Sequence, residues 1–175
     1  RIEEYVGMAL QYQRINSTAN DYILKQISLD TVIREVIHKY AKIMIRRKIR
    51  MHYEKTEATV ISDEKWLSFV LEQLLSNAVK YTPEGEISIE VQEEPQHIWL
   101  EIRDTGIGIR SEDIPRVFEK GYTGFNGHED KRSTGIGLYL CREVLQKLGH
   151  TIQVQSEVGE GTTVRAGFSK DAIDF

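Results

Sequence analysis

The first group in this sequence placed to do chemistry is an aspartate at the end of an apolar strand row. In Ile98-Trp99-Leu100-Glu101-Ile102-Arg103-Asp104 the alternate residues Ile98, Leu100 and Ile102 are apolar, so Asp104 continues their inward-facing row. A carboxylate on that face requires hydrogen-bond donors. Thr105-Gly106-Ile107-Gly108 then turns the chain, and its glycines leave room for a flat ligand against the backbone. A second group lies upstream, where Gln73, Asn77, Lys80 and Tyr81 stand three and four residues apart and share one helix face. That face is distinct from the apolar stripe of Leu67, Val70, Leu71, Leu74, Leu75 and Ala78. An amide and an ammonium on one ridge suit a metal-bound polyphosphate. Taken alone the face reads as solvated surface; beside Asp104 it becomes a candidate site, where Asn77 could offer oxygen to Mg²⁺ and Lys80 could neutralise phosphate. The third group, Thr134-Gly135-Ile136-Gly137-Leu138, opens a helix, where amides freed by glycine make an anion site. Neither glycine pair completes a Gly-x-Gly-x-x-Gly motif, because Ser111 and Leu140 hold the third positions. Both pairs also lie late in the chain, which disfavours a dinucleotide-binding βαβ unit.

The pattern predicts the elements that hold these groups. Ile2, Tyr5, Val6, Ala9 and Tyr12 recur at helical spacing until the polar run from Asn16 to Asp21, which reads as a short helical arm belonging to a larger bundle. A short strand over 26–29 follows. Asp30 is the expected N-cap of a helix through Val32, Ile33, Val36, Ile37, Tyr40, Ile43 and Met44, with Arg46-Arg47-Lys48 at its negative pole. Segments 49–53 and 58–61 read as one strand pair, and 87–91 with 98–104 as another. Between the pairs, Ser62 or Asp63 caps a helix that runs to about residue 81 and stops before Pro83. A Gly-rich, charged stretch over 110–134 precedes a helix over 136–148, ended by Gly149, and closing strands over 151–155 and 163–168. Helices and strands mix without strict βαβ alternation. The expected fold class is therefore α+β, a two-layer α/β sandwich with helices on one face of a mixed, largely antiparallel sheet. The expected division is an arm over 1–20 and one globular domain over 21–175.

A chain of 175 residues suffices for one well-cored domain, and its formal charge of −4 with pI near 5.8 argues against a nucleic-acid partner. The single cysteine, Cys141, excludes an internal disulfide and a cysteine zinc site, reads as a small buried apolar residue and suits a reducing compartment. No apolar run reaches the length of a membrane span, and the start at Arg1 is expected to mark a fragment. Trp66 and Trp99 read as packing or strand-face residues.

Four segments carry a family resemblance. Gln73-Leu74-Leu75-Ser76-Asn77-Ala78-Val79-Lys80-Tyr81-Thr82 resembles the asparagine box of sensor histidine kinases. Asp104-Thr105-Gly106-Ile107-Gly108-Ile109 resembles their first glycine box, Val117-Phe118-Glu119-Lys120 their phenylalanine box, and Thr134-Gly135-Ile136-Gly137-Leu138 their second glycine box. The boxes stand in the family order and cover about residues 22–170. Phe118 to His128 is further similar to kinases of Gram-positive bacteria that sense cell-envelope-active peptides.

The resemblance implies the Bergerat ATP-binding fold, with ATP and Mg²⁺ as cofactors. It implies that Asp104 accepts from the adenine amino group, that Gly106 and Gly108 border the base, and that Asn77 ligates Mg²⁺. Lys80 touches phosphate and Tyr81 packs near the sugar or base. Residues from about 110 to 134 form a lid, with Lys131 or Arg132 reaching the γ-phosphate, and Thr134, Gly135, Gly137 and Leu138 line its phosphate side. Asn77 and Lys80 are the catalytic pair. Gln73 is an amide where related ATPases carry a water-activating glutamate, which implies phosphoryl transfer to histidine with slow hydrolysis.

No histidine among His38, His52, His97, His128 and His150 sits in the family's acceptor pattern. The arm would then be the end of the dimerisation hairpin, and the acceptor would lie upstream. The implied partners are the histidine-containing dimerisation domain of the same protein and a response regulator. The parent is expected to be a homodimer in the bacterial cell membrane, held there through upstream segments, with this domain in the cytoplasm. Two other classes are open on the same motifs: a catalytically idle, nucleotide-gated interaction module, and an anti-sigma-type serine kinase.

Overall fold

The computed structural model describes residues 22–119 and 137–171, so the expected arm lies outside the described residues. The elements run in the order β1 (Leu24–Ser28), α1 (Leu29–Arg46), β2 (Ile49–Tyr53), β3 (Thr59–Asp63), α2 (Glu64–Lys80), β4 (Gly85–Glu93) and β5 (His97–Asp104). A single 3₁₀ turn (Ile114–Arg116) follows, then α3 (Gly137–Lys147), β6 (Thr151–Glu157) and β7 (Gly161–Ser169). Five strands form a sheet in the order β2-β4-β5-β7-β6, antiparallel except for the β2–β4 pair. The expected mixed, largely antiparallel sheet is found.

Helix α2 is the central element. Its buried residues, Trp66, Leu67, Phe69, Val70, Leu71, Leu74, Leu75, Ala78 and Val79, cover more than one face, so it is packed between α1, α3 and the sheet. Ile87, Ile89, Ile98, Leu100, Ile102, Ala166 and Phe168 meet the helices from the sheet side. Each such side chain stabilises the fold by about 1.5–3 kcal/mol relative to exposure. Asp63 is the N-cap of α2: its Oδ1 accepts from the Trp66 amide at 3.0 Å, while Oδ2 accepts from Ile23 at 2.8 Å. Cys141 is fully buried, as its apolar neighbours in α3 predict.

Two expectations are corrected. Segments 49–53 and 59–63 do not pair with each other. β2 runs parallel to β4, with Ile49 opposite Gly85, and β3 pairs antiparallel with β1, with Leu24 opposite Asp63. The linker Glu54-Lys55-Thr56-Glu57-Ala58 has no tight-turn residue to close a hairpin, so each strand finds a distant partner. The N-cap of α1 is Ser28, whose Oγ accepts from the Thr31 amide at 3.4 Å. Asp30 instead lies in the first turn and accepts from Arg34 Nε at 2.9 Å and from the Tyr53 hydroxyl at 2.6 Å. Burial and this donation push the Tyr53 hydroxyl up to about 12.

On the sheet face away from the helices, Trp99 of β5 lies opposite Gly167 of β7. A Cβ at Gly167 would stand 2.6 Å from Trp99 Cζ3 and 2.7 Å from Thr151 Oγ1. The Trp99 ring is further held by the Arg165 guanidinium, 4.3 Å from its centroid, and by His97 stacked at 5.6 Å. Gly167→Ala is therefore expected to displace the indole and destabilise the domain by about 1–3 kcal/mol. Denaturant unfolding followed by tryptophan fluorescence measures this; an unchanged midpoint and emission would contradict it.

Candidate functional site

Asp104 ends β5 with 8% of its surface exposed. Its Oδ1 accepts from the Gly106 amide at 2.9 Å and from the Thr162 amide at 3.2 Å. Both bonds fall on one oxygen. Oδ2 has no protein donor among the described residues. Burial pushes the carboxyl above the usual carboxylate range, and the two amides pull partly against that. The result is a carboxyl fixed through one oxygen, its other oxygen without a protein donor among the described residues.

The turn that follows is tied on three sides. Toward β4, the Thr105 amide donates to the Glu86 carbonyl at 3.0 Å, and the Glu86 amide donates to Thr105 Oγ1 at 3.0 Å. Toward α2, the Ile107 amide donates to the Tyr81 carbonyl at 3.0 Å. Toward the β6–β7 turn, the Ile109 amide donates to Ser156 Oγ at 2.7 Å, and Gly159 donates to the Ile107 carbonyl at 3.0 Å. The close approach needs glycine. A Cβ on Gly106 would overlap the Tyr81 carbonyl oxygen and stand 2.9 Å from Thr82 Oγ1. Gly108 has φ +77, and a Cβ there would overlap the Glu157 carbonyl.

The end of α2 is thereby brought against the Asp104 turn. Asn77 and Lys80 are half-buried on the last turns of the helix, and Lys80 Nζ lies over the Tyr81 ring, 5.3 Å from its centroid. The Tyr81 amide closes the helix on the Asn77 carbonyl at 3.1 Å. Arg47 Nη2 donates to the Lys80 and Thr82 carbonyls at 3.5 and 3.2 Å, which satisfies acceptors the helix end leaves open. Gln73 is half-buried one turn earlier. The neighbouring acid Glu72 pairs with Lys39 of α1 at 3.0 Å and so is held away from this ridge.

Helix α3 begins at Gly137 and Leu138 and packs on α2, with Cys141 Sγ 3.9 Å from the Val70 carbonyl. The start of the expected lid is more structured than a Gly-rich loop. It holds the 3₁₀ turn, Arg110 pairs with Asp113 at 3.1 Å, and the Arg142 guanidinium of α3 covers the Phe118 ring at 5.5 Å. Lys131, Arg132, Thr134 and Gly135 lie outside the described residues.

Three further residues support this site. Thr162 supplies the second amide to Asp104. Ser156 accepts from Ile109, donates to the Gly161 carbonyl at 2.9 Å, and lies 2.7 Å from Thr162 Oγ1, so one hydroxyl locks the turn to β7. Thr82 is fully buried, and its Oγ1 has no partner among the described residues. The available signal was Gly161-Thr162-Thr163 at the start of the last strand, where a glycine admits a close backbone. Its register opposite Asp104 is a tertiary fact.

A buried acceptor, a rigid glycine turn beside it, and an amide and an ammonium on the abutting helix define a site of one recognisable class. The chain belongs to the family of histidine kinase-, DNA gyrase B-, and HSP90-like ATPases, whose model matches residues 62–172. Its relatives within that family are sensor histidine kinases. The sensor histidine kinase YxdK of Bacillus subtilis is 36% identical over 174 residues, covering 96% of this chain and 53% of its own length. The chain spans about half the length of the curated relatives it matches. Among solved structures, full-length ShkA in complex with AMPPNP superposes with a TM-score of 0.82 at 20% identity, over 97% of this chain and 36% of that one. The histidine kinase ThkA in complex with the response regulator TrrA gives a TM-score of 0.78 at 22% identity, over 98% of this chain and 48% of that one. The fold is thus that of histidine kinase catalytic domains.

Proposed function

We propose that this chain is the ATP-binding catalytic domain of a sensor histidine kinase, passing the γ-phosphoryl group of ATP to a histidine on a dimerisation domain upstream, for relay to a response regulator. The observation that carries the reading is Asp104: a buried carboxylate with both hydrogen bonds on Oδ1 and Oδ2 left to accept from an adenine amino group. The base lies against Gly106 and Gly108, and the phosphates extend toward Asn77 and Lys80. Lys131 or Arg132 meets the γ-phosphate, and Thr134, Gly135, Gly137 and Leu138 line the phosphate side. Residues 1–20 are the end of the hairpin helix and 21–175 the catalytic domain. The relatives' identity as sensor kinases and the AMPPNP bound by ShkA support the same reading.

The described residues contain no cluster of three or more His, Cys, Asp or Glu able to hold a metal. Mg²⁺ would be held on the protein side by the Asn77 side-chain oxygen, at the half-buried end of α2, with phosphates and water completing an oxygen shell. Bound there, the ion would neutralise phosphate charge. The protein's own part is to position the nucleotide and exclude a general base: Gln73 is an amide, and Glu72 is engaged by Lys39. Imidazole is already nucleophilic and needs no such base. No helix among the described residues is long and apolar enough to cross a membrane. Anchoring of the parent in the cell membrane, homodimerisation and docking of a response regulator are parts of this proposal, with ThkA–TrrA as the supporting precedent.

The test is transfer from radiolabelled ATP. The chain alone is expected to remain unlabelled and to hydrolyse ATP slowly. With the dimerisation hairpin of the parent protein supplied, acid-labile label should accumulate on its histidine, at a rate lowered about a hundredfold by Asn77→Ala. Self-labelling, or fast hydrolysis lost on Gln73→Ala, contradicts the reading.

A further inference from the structure

The C-terminal end of α1 gathers charge that the nucleotide site does not use. Residues 31–50 carry seven Lys and Arg against one acid, Glu35, a local +6; with the whole chain at −4, the remainder stands at −10. Several of these cations are already answered. Arg34 pairs with Asp30 at 2.9 Å, Lys39 with Glu72 at 3.0 Å and Arg50 with Glu86 at 2.6 Å, while Arg47 serves the carbonyls at the end of α2. Lys42, Arg46 and Lys48 are exposed and have no acidic partner among the described residues.

Two further observations fall on the same end. Ile45 is 76% exposed and Ile43 40% exposed, and Lys42, Ile45 and Arg46 stand three and four residues apart on the outward side. Lys48, immediately after the helix, has φ +57, a left-handed conformation usually occupied by glycine.

We propose that this end of α1 is a docking surface for an anionic lipid bilayer. Three unanswered cations on flexible stems match dispersed anionic headgroups, and Ile45, exposed on the same side as Lys42 and Arg46, is placed to enter the interfacial layer. A protein partner fits less well, because a specific interface needs about 800 Å² on each side. An isoleucine three-quarters exposed on a helix presents a point of contact, whereas a bilayer accepts points.

Co-sedimentation of this chain with phosphatidylcholine vesicles, with and without phosphatidylserine, tests the proposal. Retention is expected only with phosphatidylserine, and it should fall as salt rises. Each cation contributes about fivefold in affinity, so Lys42→Gln, Arg46→Gln and Lys48→Gln together should weaken binding about a hundredfold. Lys55→Gln, Lys65→Gln and Lys170→Gln together should leave it near wild type. Ile45→Ser should weaken vesicle binding about tenfold without affecting retention on poly-glutamate. Equal binding to both vesicle types, or equal loss in both triple variants of unchanged melting temperature, would overturn the proposal. So would retention on poly-glutamate through the same three cations with none on vesicles, which would assign the surface to an acidic protein.

Discussion

Asp104→Asn is expected to lower affinity for adenine nucleotide about a hundredfold while leaving the melting temperature unchanged or slightly raised. Hydrogen bonds to a charged group contribute about 1.5–3 kcal/mol, and in the variant the ligand's amino group would meet an amide donor in place of an acceptor. The asparagine carbonyl can still accept from the Gly106 and Thr162 amides, so the turn keeps its ties. The stability half follows from the raised carboxyl. A group whose folded pKa lies above its unfolded value favours the fold at pH below the unfolded pKa and ceases to do so as pH rises through the folded one. For Asp104, burial is the main cause, so at neutral pH the carboxylate is a cost that asparagine removes. Calorimetric titration with ATP and GTP, alongside thermal unfolding, checks both halves. Undiminished adenine preference would end the assignment of Asp104, and a large loss of stability would make the residue structural.

The second large effect is loss of stability in acid, centred on His150. The residue follows Gly149 at the end of α3 and is 2% exposed, with its ring edge-on to Phe168 at 4.9 Å. Nε2 lies 3.3 Å from the fully buried Ser62 Oγ, and Nδ1 has no partner among the described residues. Burial lowers its pKa from 6.5 to about 4. A depressed value means that the fold holds the neutral ring. The stability is fully present above 6.5 and is lost as pH falls through that value toward 4, amounting to about 3 kcal/mol across the window. Urea unfolding at pH 7, 5.5 and 4 should show this decline, and His150→Leu should flatten it despite stranding Ser62. A slope unchanged in the variant would place the titrating group elsewhere. Asp104 acts in the opposite sense, so it cannot account for a loss in acid.

The relation between sequence and site is uneven for a physical reason. Asp104 was legible because strand alternation is local: three inward apolar residues fix the side on which the fourth must point. The α2 ridge was legible because helical spacing places Asn77, Lys80 and Tyr81 together; the α2 cap was legible only as Ser62 or Asp63, and the bond from the Trp66 amide selects Asp63. The cap of α1 is Ser28 and not the expected Asp30, because the tyrosine that claims the Asp30 carboxylate comes from β2, far along the chain. His150 could be noted in the sequence only as a histidine; its neutrality depends on Ser62 and Phe168, which arrive from β3 and β7.

By itself, then, the sequence determined that Asp104 ends an apolar strand row, that Asn77 and Lys80 share a helix ridge, and the family to which the order of the motifs belongs. All of that follows from short-range periodicity and motif spacing. Only the tertiary structure decided that β2 joins β4 and not β3, that Thr162 and Ser156 complete the support of Asp104, and that Glu72 is held by Lys39. Those pairings are selected by burial and hydrogen bonding between distant segments, and no local pattern encodes which of several compatible partners the folded chain will bring alongside.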